Sequence, residues 1–501
     1  MPSPDYLSKS RYAAGLQCSR RLWLNVHEPS NWDEPALGSA EGVGLEIGRM
    51  ARLLLPGGIL VEEKPWEHLA AVAHTTALMA DHSVPAIFEA AFEHSGIRIR
   101  VDVMERLSRE YWRMVEVKSS GEVKEHHYDD AAIQMHVLRQ TGVRLSSVQI
   151  LHVNKDYVRD AGEISWPQFF RRAEIKAEVT ERLDGIEARL REQFACLSRA
   201  QMPQIEPDAH CHTPFLCEYW DRCTESKPAD WVFKMPRLQP ARLMELKALG
   251  VESISAIPDN FELTQRQCVI RDVVRSGRPY VAPDLPERLN GLGPPAFYLD
   301  FEAFSPAIPL YPGTRPYEAI PFQWSLHRVD SHGLLNHEEF LADAMTDPRR
   351  SFAESLIAAL GETKLPIIVF SSYEQTRLNV LMSLFPDLAN LIGGIVRRLS
   401  DFLPIVRGGV YHPEFDFSYS IKGVAPALCS DVTYDDLEQV ADGTAASMAF
   451  WLMASGRANA AMTASLRRSL LAYCQRDTWA MVRLHQALLR LAGDVSGSNG
   501  S

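Results

Sequence analysis

From Val84 to Lys155 the hydrophobic period of the chain shifts from helical to alternating, and no other stretch narrows the choice of fold as much. PAIFEAAFEHSGIRIRVDVMERL and YWRMVEVKSS read as β-rich segments separated by turns. EVKEHHYDDAAIQMHVLRQTG reads as a helix from about His127, and LSSVQILHVNK as one more strand. This order is one in which a small mixed sheet assembles. Asp102 lies in the alternating run Ile97 to Val103, and Glu116 and Lys118 stand two apart on one face of the next strand. An Asp followed by Glu-x-Lys on the neighbouring strand gathers two carboxylates and an ammonium around one point. Such carboxylates suit Mg²⁺ or Mn²⁺, and the ammonium can orient a water or offset charge building on a phosphate. The plain alternative is a solvated Glu–Lys strand pair.

A second acid pair, Asp300 and Glu302, sits in the strand-like run Tyr298-Leu-Asp-Phe-Glu302. Residues two apart on a strand share a face, so both carboxylates point away from Leu299 and Phe301. Two carboxylates on one face repel each other and are costly to bury unless a cation or solvent lies between them. Downstream, KLPIIVFSSYEQTR predicts a buried strand from Ile367 to Phe370 followed by a helix, with Glu374 at their junction and Asp401 further on in LSDFLPIVRGG. SLLAYCQRDTWAMVRLHQALL is an amphipathic helix in which Tyr473 and Asp477, four apart, share a face.

At 501 residues the chain exceeds what one core usually serves, so more than one domain is expected. With 46% hydrophobic and 23% charged residues it has the composition of a soluble globular protein. No apolar run is long enough to span a bilayer, and the opening residues lack the basic start and apolar core of a secretory signal, which predicts a cytoplasmic protein without a membrane partner. A formal net charge of −12 argues against a surface coated for non-specific nucleic-acid binding. It leaves nucleic acid open as a substrate held by local basic patches.

Of the 8 cysteines, Cys211, Cys217 and Cys223 stand at equal intervals of six in CHTPFLCEYWDRC. The opening segment LSKSRYAAGLQCSRRLWLNVHEP reads as a helix capped by Ser8 or Ser10, with Cys18 near its end. Residues 224 to 295 read as a connector with two short helices, in which Arg266, Arg271 and Arg275 form a solvated helix face.

Asp102, Glu116-Val-Lys118 and the helix residue Gln134 together resemble the PD-(D/E)xK nucleases of RecB type, with Glu89 as a further acid. Iron–sulfur members of that superfamily place one cysteine before the nuclease core and three after it. The resemblance thus implies a 4Fe-4S cluster on Cys18, Cys211, Cys217 and Cys223, with a four-thiolate Zn²⁺ site as the alternative. The second half resembles the DEDD exonucleases of ribonuclease H-like fold. On that likeness Asp300 and Glu302 form the first motif, Glu374 or Asp401 the second, and Tyr473 with Asp477 the third; relatives carry Asp where this chain has Glu374.

The whole order is similar to a widespread bacterial family of largely uncharacterised proteins. It implies an α/β multidomain chain: a PD-(D/E)xK domain over 1–230, a connector over 231–295 and a ribonuclease H-like domain over 296–501. The implied activity is Mg²⁺- or Mn²⁺-dependent hydrolysis of phosphodiester bonds in DNA, on single strands or ends, in repair or defence. RNA as substrate, and a non-catalytic nucleic-acid-binding adaptor with decayed sites, are the alternatives; protein partners are not implied.

Overall fold

The computed structural model of the chain describes residues 6–29 and 39–498. It is a mixed α/β protein with several sheets and two compact units: an N-terminal unit of Met1–Ser226 with Ala307–Tyr317, and a C-terminal unit of Lys227–Pro306 with Glu318–Ser501. Among the described residues no helix is long and apolar enough to cross a membrane.

The sheet of the N-terminal unit is built from β1 (Leu7–Ser8), β2 (Ile59–Leu60), β3 (Ala86–His94), β4 (Ile97–Arg106), β5 (Tyr111–Lys118), β6 (Arg144–Val153) and β7 (Phe170–Glu174). Its order is β2-β3-β4-β5-β6-β7, with β1 paired to β4. Ser95 and Gly96 both have positive φ, the backbone of a tight two-residue hairpin whose twist matches its strands, and this joins β3 to β4. β5 and β6 run parallel, which requires a crossover; the helix Glu125–Gln140 supplies it and buries Ala131, Ile133, Met135 and Leu138. Along β4 burial alternates, so Ile97, Ile99 and Val101 pack inward while Arg98, Arg100 and Asp102 take the other face. Segment 307–317 is part of this unit: Ala307 is buried against Phe88 and Val115, and the Arg159 guanidinium donates to the carbonyls of Pro309 and Leu310 at 2.8 Å.

The opening segment is two helices, Lys9–Gln17 and Ser19–His27, because Cys18 is extended (φ −163°, ψ 128°). Ser8 caps the first by accepting from the Arg11 N–H at 3.2 Å. The expected 4Fe-4S or four-thiolate zinc site on Cys18, Cys211, Cys217 and Cys223 is corrected. Among the described residues the group that could hold a metal ion is Asp300, Glu302 and Cys474, one thiol with two carboxylates, a donor set for a single divalent ion and not for an iron–sulfur cluster. Cys211 and Cys217 instead pack with Trp23, Leu24, Cys196 and Tyr219, and burial pushes the thiols of Cys211, Cys217 and Cys223 up, favouring their protonated form. Hydrogen bonds join the cysteine-bearing segment to the two opening helices. Gln17 Nε2 donates to the carbonyls of His210 (2.8 Å) and Phe215 (2.9 Å), and the Tyr219 hydroxyl to Asn25 Oδ1 (2.8 Å).

In the C-terminal unit β8 (Tyr280–Val281) pairs with β14 (Val410–Tyr411), apart from a five-stranded sheet. That sheet comprises β9 (Ala296–Phe304), β10 (Ile320–Val329), β11 (Leu335–Leu341), β12 (Ile367–Val369) and β13 (Leu399–Asp401), in the order β11-β10-β9-β12-β13. β9, β10 and β11 are antiparallel, and β12 and β13 run parallel to β9. The acid-rich LNHEEFL is strand β11; an edge strand keeps such charges in water and blunts pairing with other chains.

Alternation along β9 divides its side chains between two environments. Phe297, Leu299 and Phe301 enter a core with Trp324, Leu326, Phe352, Leu356 and Ile367. Tyr298, Asp300 and Glu302 face the other way, toward the long helix Ala460–Ser498: the Tyr298 hydroxyl lies 2.8 Å from His485 Nδ1, and Gln323 Nε2 donates to the Leu470 carbonyl at 2.8 Å. Leu299, next to Asp300 in the chain and on the opposite face of the strand, is fully buried. Leu299→Ala is expected to lower the stability of the C-terminal unit by about 2–5 kcal/mol, read from its urea transition.

Candidate metal centre

Three elements of the C-terminal unit bring the acids together. β9 presents Asp300 and Glu302, opposite Ser325 and Gln323 of β10. Glu374 lies in the first turn of the helix Tyr373–Leu384, where a carboxylate complements the helix dipole, and is 3% exposed. The long helix adds Tyr473, Cys474 and Asp477, all buried. The Cys474 thiol donates to Asp300 Oδ2 at 3.5 Å, and ligand atoms of Asp300, Glu302 and Cys474 all lie within 4.8 Å of one another. Asp477 Oδ1 accepts from the Tyr434 hydroxyl at 2.6 Å, and Tyr473 also bonds its carboxylate.

Burial without enough positive charge dominates the electrostatics. Burial, then Asp477, Glu302 and Glu374, hold the Asp300 carboxyl well above the usual range. Burial and Asp477 push Glu302 up to about 8, against the pull of Lys422. Burial raises Glu374 to about 7 and raises Asp477 as well, although its two tyrosines and Lys422 favour its charged form. The Lys422 ammonium lies 4.6 Å from the centre of the Tyr473 ring and 5.6 Å from that of Tyr434. Burial beside three carboxylates also raises the Cys474 thiol, which therefore stays a hydrogen-bond donor. Carboxylate oxygens are the hard donors that Mg²⁺ takes; a thiolate would add affinity for Zn²⁺.

Asp401 ends β13 and caps the helix Phe402–Gly409, its carboxylate accepting from the Leu403 N–H at 2.8 Å. It acts on Glu374 by charge, whereas Glu374 acts directly on Asp300 and Glu302. Of the two residues read as a second motif, Glu374 is the one gathered with the β9 acids.

The acid set of the N-terminal unit also converges, on a different solution. Glu116 Oε1 accepts from Lys9 Nζ at 2.6 Å and lies 3.0 Å from Lys118 Nζ, while Gln134 Nε2 donates to its Oε2 at 2.7 Å. Against the cost of burial, Lys9 and Lys118 pull Glu116 down to about 2. Asp102, accepting from the Val117 N–H at 2.7 Å, is pushed up to about 7 by burial and by Glu116. Lys118 is bound at 2.6 Å by Asp130. Glu89 adopts φ +56° in mid-strand, where the β3–β4 pairing passes from Phe88↔Val103 to Ala90↔Val101; a non-glycine residue there is strained.

Lys9, Asp130, Lys422, Tyr434 and Cys474 were not read from the sequence as site residues. Lys9 is 107 positions from Glu116 and Tyr434 is 43 from Asp477, separations at which no periodicity operates. Cys474 did carry a signal: it is one turn from Asp477 on the same helix face.

Residues 297–420 match a family described as a domain of unknown function (DUF2779), an interval that contains Asp300, Glu302, Glu374 and Asp401. No curated protein matches the chain. A crystal structure described as "Putative exonuclease" from Eubacterium rectale matches with 16% identity over 49% of this chain and 94% of that one, at a TM-score of 0.26, which is too low to carry an argument.

The raised carboxyls make stability depend on pH. In the unfolded chain Glu titrates near ~4.3 and His near ~6.5, so above the histidine range, between about pH 7 and pH 8, Glu302 and in part Glu374 hold protons that the unfolded chain has lost, and the folded protein loses stability as pH rises. Thermal melts in chelator are expected to show a lower melting temperature at about pH 8 than at about pH 7. Millimolar Mg²⁺ or Zn²⁺ should restore it at the higher pH, and Asp300→Asn should abolish most of that response.

Proposed function

We propose that the protein is a divalent-cation-dependent nuclease that hydrolyses phosphodiester bonds in DNA, on single strands or at ends, with its chemistry in the C-terminal unit. The observation that carries this is the convergence of the half-buried Asp300 with the buried Glu302, Glu374 and Asp477, four carboxylates with Lys422 as the ammonium acting on two of them. Such a set is stable as anions only with more positive charge than the chain provides there.

The order β11-β10-β9-β12-β13, antiparallel then parallel with helices packed across it, supports a ribonuclease H-like reading of this unit. Bound Mg²⁺ would polarise a phosphoryl oxygen and make a coordinated water more acidic. Asp300, Glu302, Glu374 and Asp477 are the residues that would hold it. Tyr473, fixed by its bond to Asp477, orients the attacking water, and Lys422 offsets charge on the phosphate. Cys474 acts as a positioning residue through its hydrogen bond to Asp300.

The N-terminal unit supports a PD-(D/E)xK-like reading by its strand–strand–strand–helix–strand order and by the meeting of Asp102, Glu116, Lys118 and Gln134. Both oxygens of Glu116 are committed to lysines and Gln134, an observation that favours a unit that holds the nucleic acid over one that cuts it.

Purified full-length protein with Mg²⁺ is expected to cleave single-stranded oligodeoxynucleotides. Asp300→Ala should lower the rate at least ~100-fold, in line with removal of a principal electrostatic group, while the double change Glu116→Ala, Lys118→Ala lowers it less than about 3-fold. Equal cleavage by Asp300→Ala would refute the assignment, and preferential cleavage of RNA oligonucleotides would change the substrate.

A further inference from the structure

A cavity of about 780 Å³ in the C-terminal unit is lined by Arg237, Arg266, Arg407, Phe370, Phe417 and Tyr419, and among its described lining residues there is no carboxylate. A second cavity of about 590 Å³ shares Arg266 and Arg407 and adds Arg288. Volumes of this order are those of small-ligand sites.

Of the three arginines expected to form a solvated helix face, Arg275 is exposed, Arg266 is half-buried and Arg271 is buried. Arg271 is 6% exposed and donates to the Pro258 carbonyl at 3.2 Å, and Arg275 is bound by Ser255, Ile257 and Asp259. Arg266 turns to the opposite side, donating to the Val410 carbonyl at 2.9 Å and to the Tyr419 hydroxyl, with its guanidinium 5.0 Å from the Tyr419 ring centre. Its Nε is buried without a hydrogen-bond partner. Arg237 and Arg407 are exposed and form no salt bridge among the described residues. Arg237, Asp416 and Phe417 have φ of +55°, +40° and +61°, three strained non-glycine positions in the segments that line or adjoin the cavity.

Segments that line the cavity continue into segments that carry the acid centre. Phe370 follows the end of β12 and precedes Glu374 by four residues; Leu403 follows Asp401 by two; Ser420 caps the helix Ile421–Leu428 that carries Lys422. Guanidinium groups with free donors recognise phosphate, and aromatic faces stack bases without regard to sequence.

We propose that this cavity is a nucleotide subsite that seats one nucleotide of a single-stranded nucleic acid adjoining the acid centre. The inference rests on the nuclease reading of this unit, but its test does not require cleavage. Binding of a fluorescently labelled single-stranded oligonucleotide to the full chain is followed by anisotropy in chelator over a range of salt concentrations. The double change Arg237→Glu, Arg407→Glu should weaken binding at least ~10-fold and make the salt dependence shallower by about two counterions.

The single changes Arg237→Gln and Arg407→Gln should each give part of that loss at an unaltered melting temperature. Phe417→Ala should weaken binding several-fold with the salt slope unchanged, as lost stacking would. Unchanged affinity in these variants would overturn the subsite. So would loss of free nucleoside monophosphate binding while oligonucleotide affinity is retained, because the cavity would then serve a free nucleotide. If Asp300→Ala cleaves normally while the arginine variants lose binding, the nuclease assignment of the acid centre fails and the subsite stands.

Discussion

Carboxylates crowded out of water on one face of a strand repel one another, and the C-terminal unit is arranged around containing that repulsion. β9 must bury Leu299 and Phe301 on one side, so pleating forces Asp300 and Glu302 to the other, under the long helix. The helix meets them with Cys474, a protonated donor, and with Tyr473; Tyr434 and Lys422 arrive from elsewhere along the chain. Each of these groups lessens the charge problem without removing it. Glu302 and Glu374 are left titrating near neutrality, the condition under which a carboxylate can exchange between proton and cation.

The N-terminal unit holds a comparable number of acids and reaches the opposite balance. Lys9 and Lys118 lie within 3.0 Å of Glu116, so that carboxylate is firmly ionised while Asp102 beside it is raised. Breaking such a buried pair leaves an uncompensated charge, typically at a cost of about 3–5 kcal/mol. The first helix, which brings Lys9, is therefore tied to the sheet by electrostatics as well as by Leu7 and Tyr12 in the core.

Elements with strong period were legible in the sequence: the alternating strands β3 to β5, the crossover helix with Gln134, the buried β12 and the amphipathic helix that pairs Tyr473 with Asp477. Local rules carry these, because residues two apart on a strand or four apart on a helix meet in any fold. What escaped depended on long-range closure. Lys9 reaches Glu116 over 107 residues of chain, and Arg271 reads as solvated although the turn at Pro258 folds back on it. The equal spacing of Cys211, Cys217 and Cys223 suggested thiolate ligation, yet spacing does not report burial, and burial with Trp23 and Tyr219 favours the neutral thiol.

Segment 307–317 contributes Ala307 to the N-terminal core, although about eighty residues of the C-terminal unit precede it in the chain. On the ribosome, residues up to Ser226 can collapse and pair their strands, but Arg159 and the buried surface around Val115 wait for this segment to emerge. By then β9 has been made and its partner β10 has not. The unfinished core of one unit and the unpaired strand of the other are thus exposed during the same interval of synthesis, and the segment that completes the first immediately precedes the strand that completes the second.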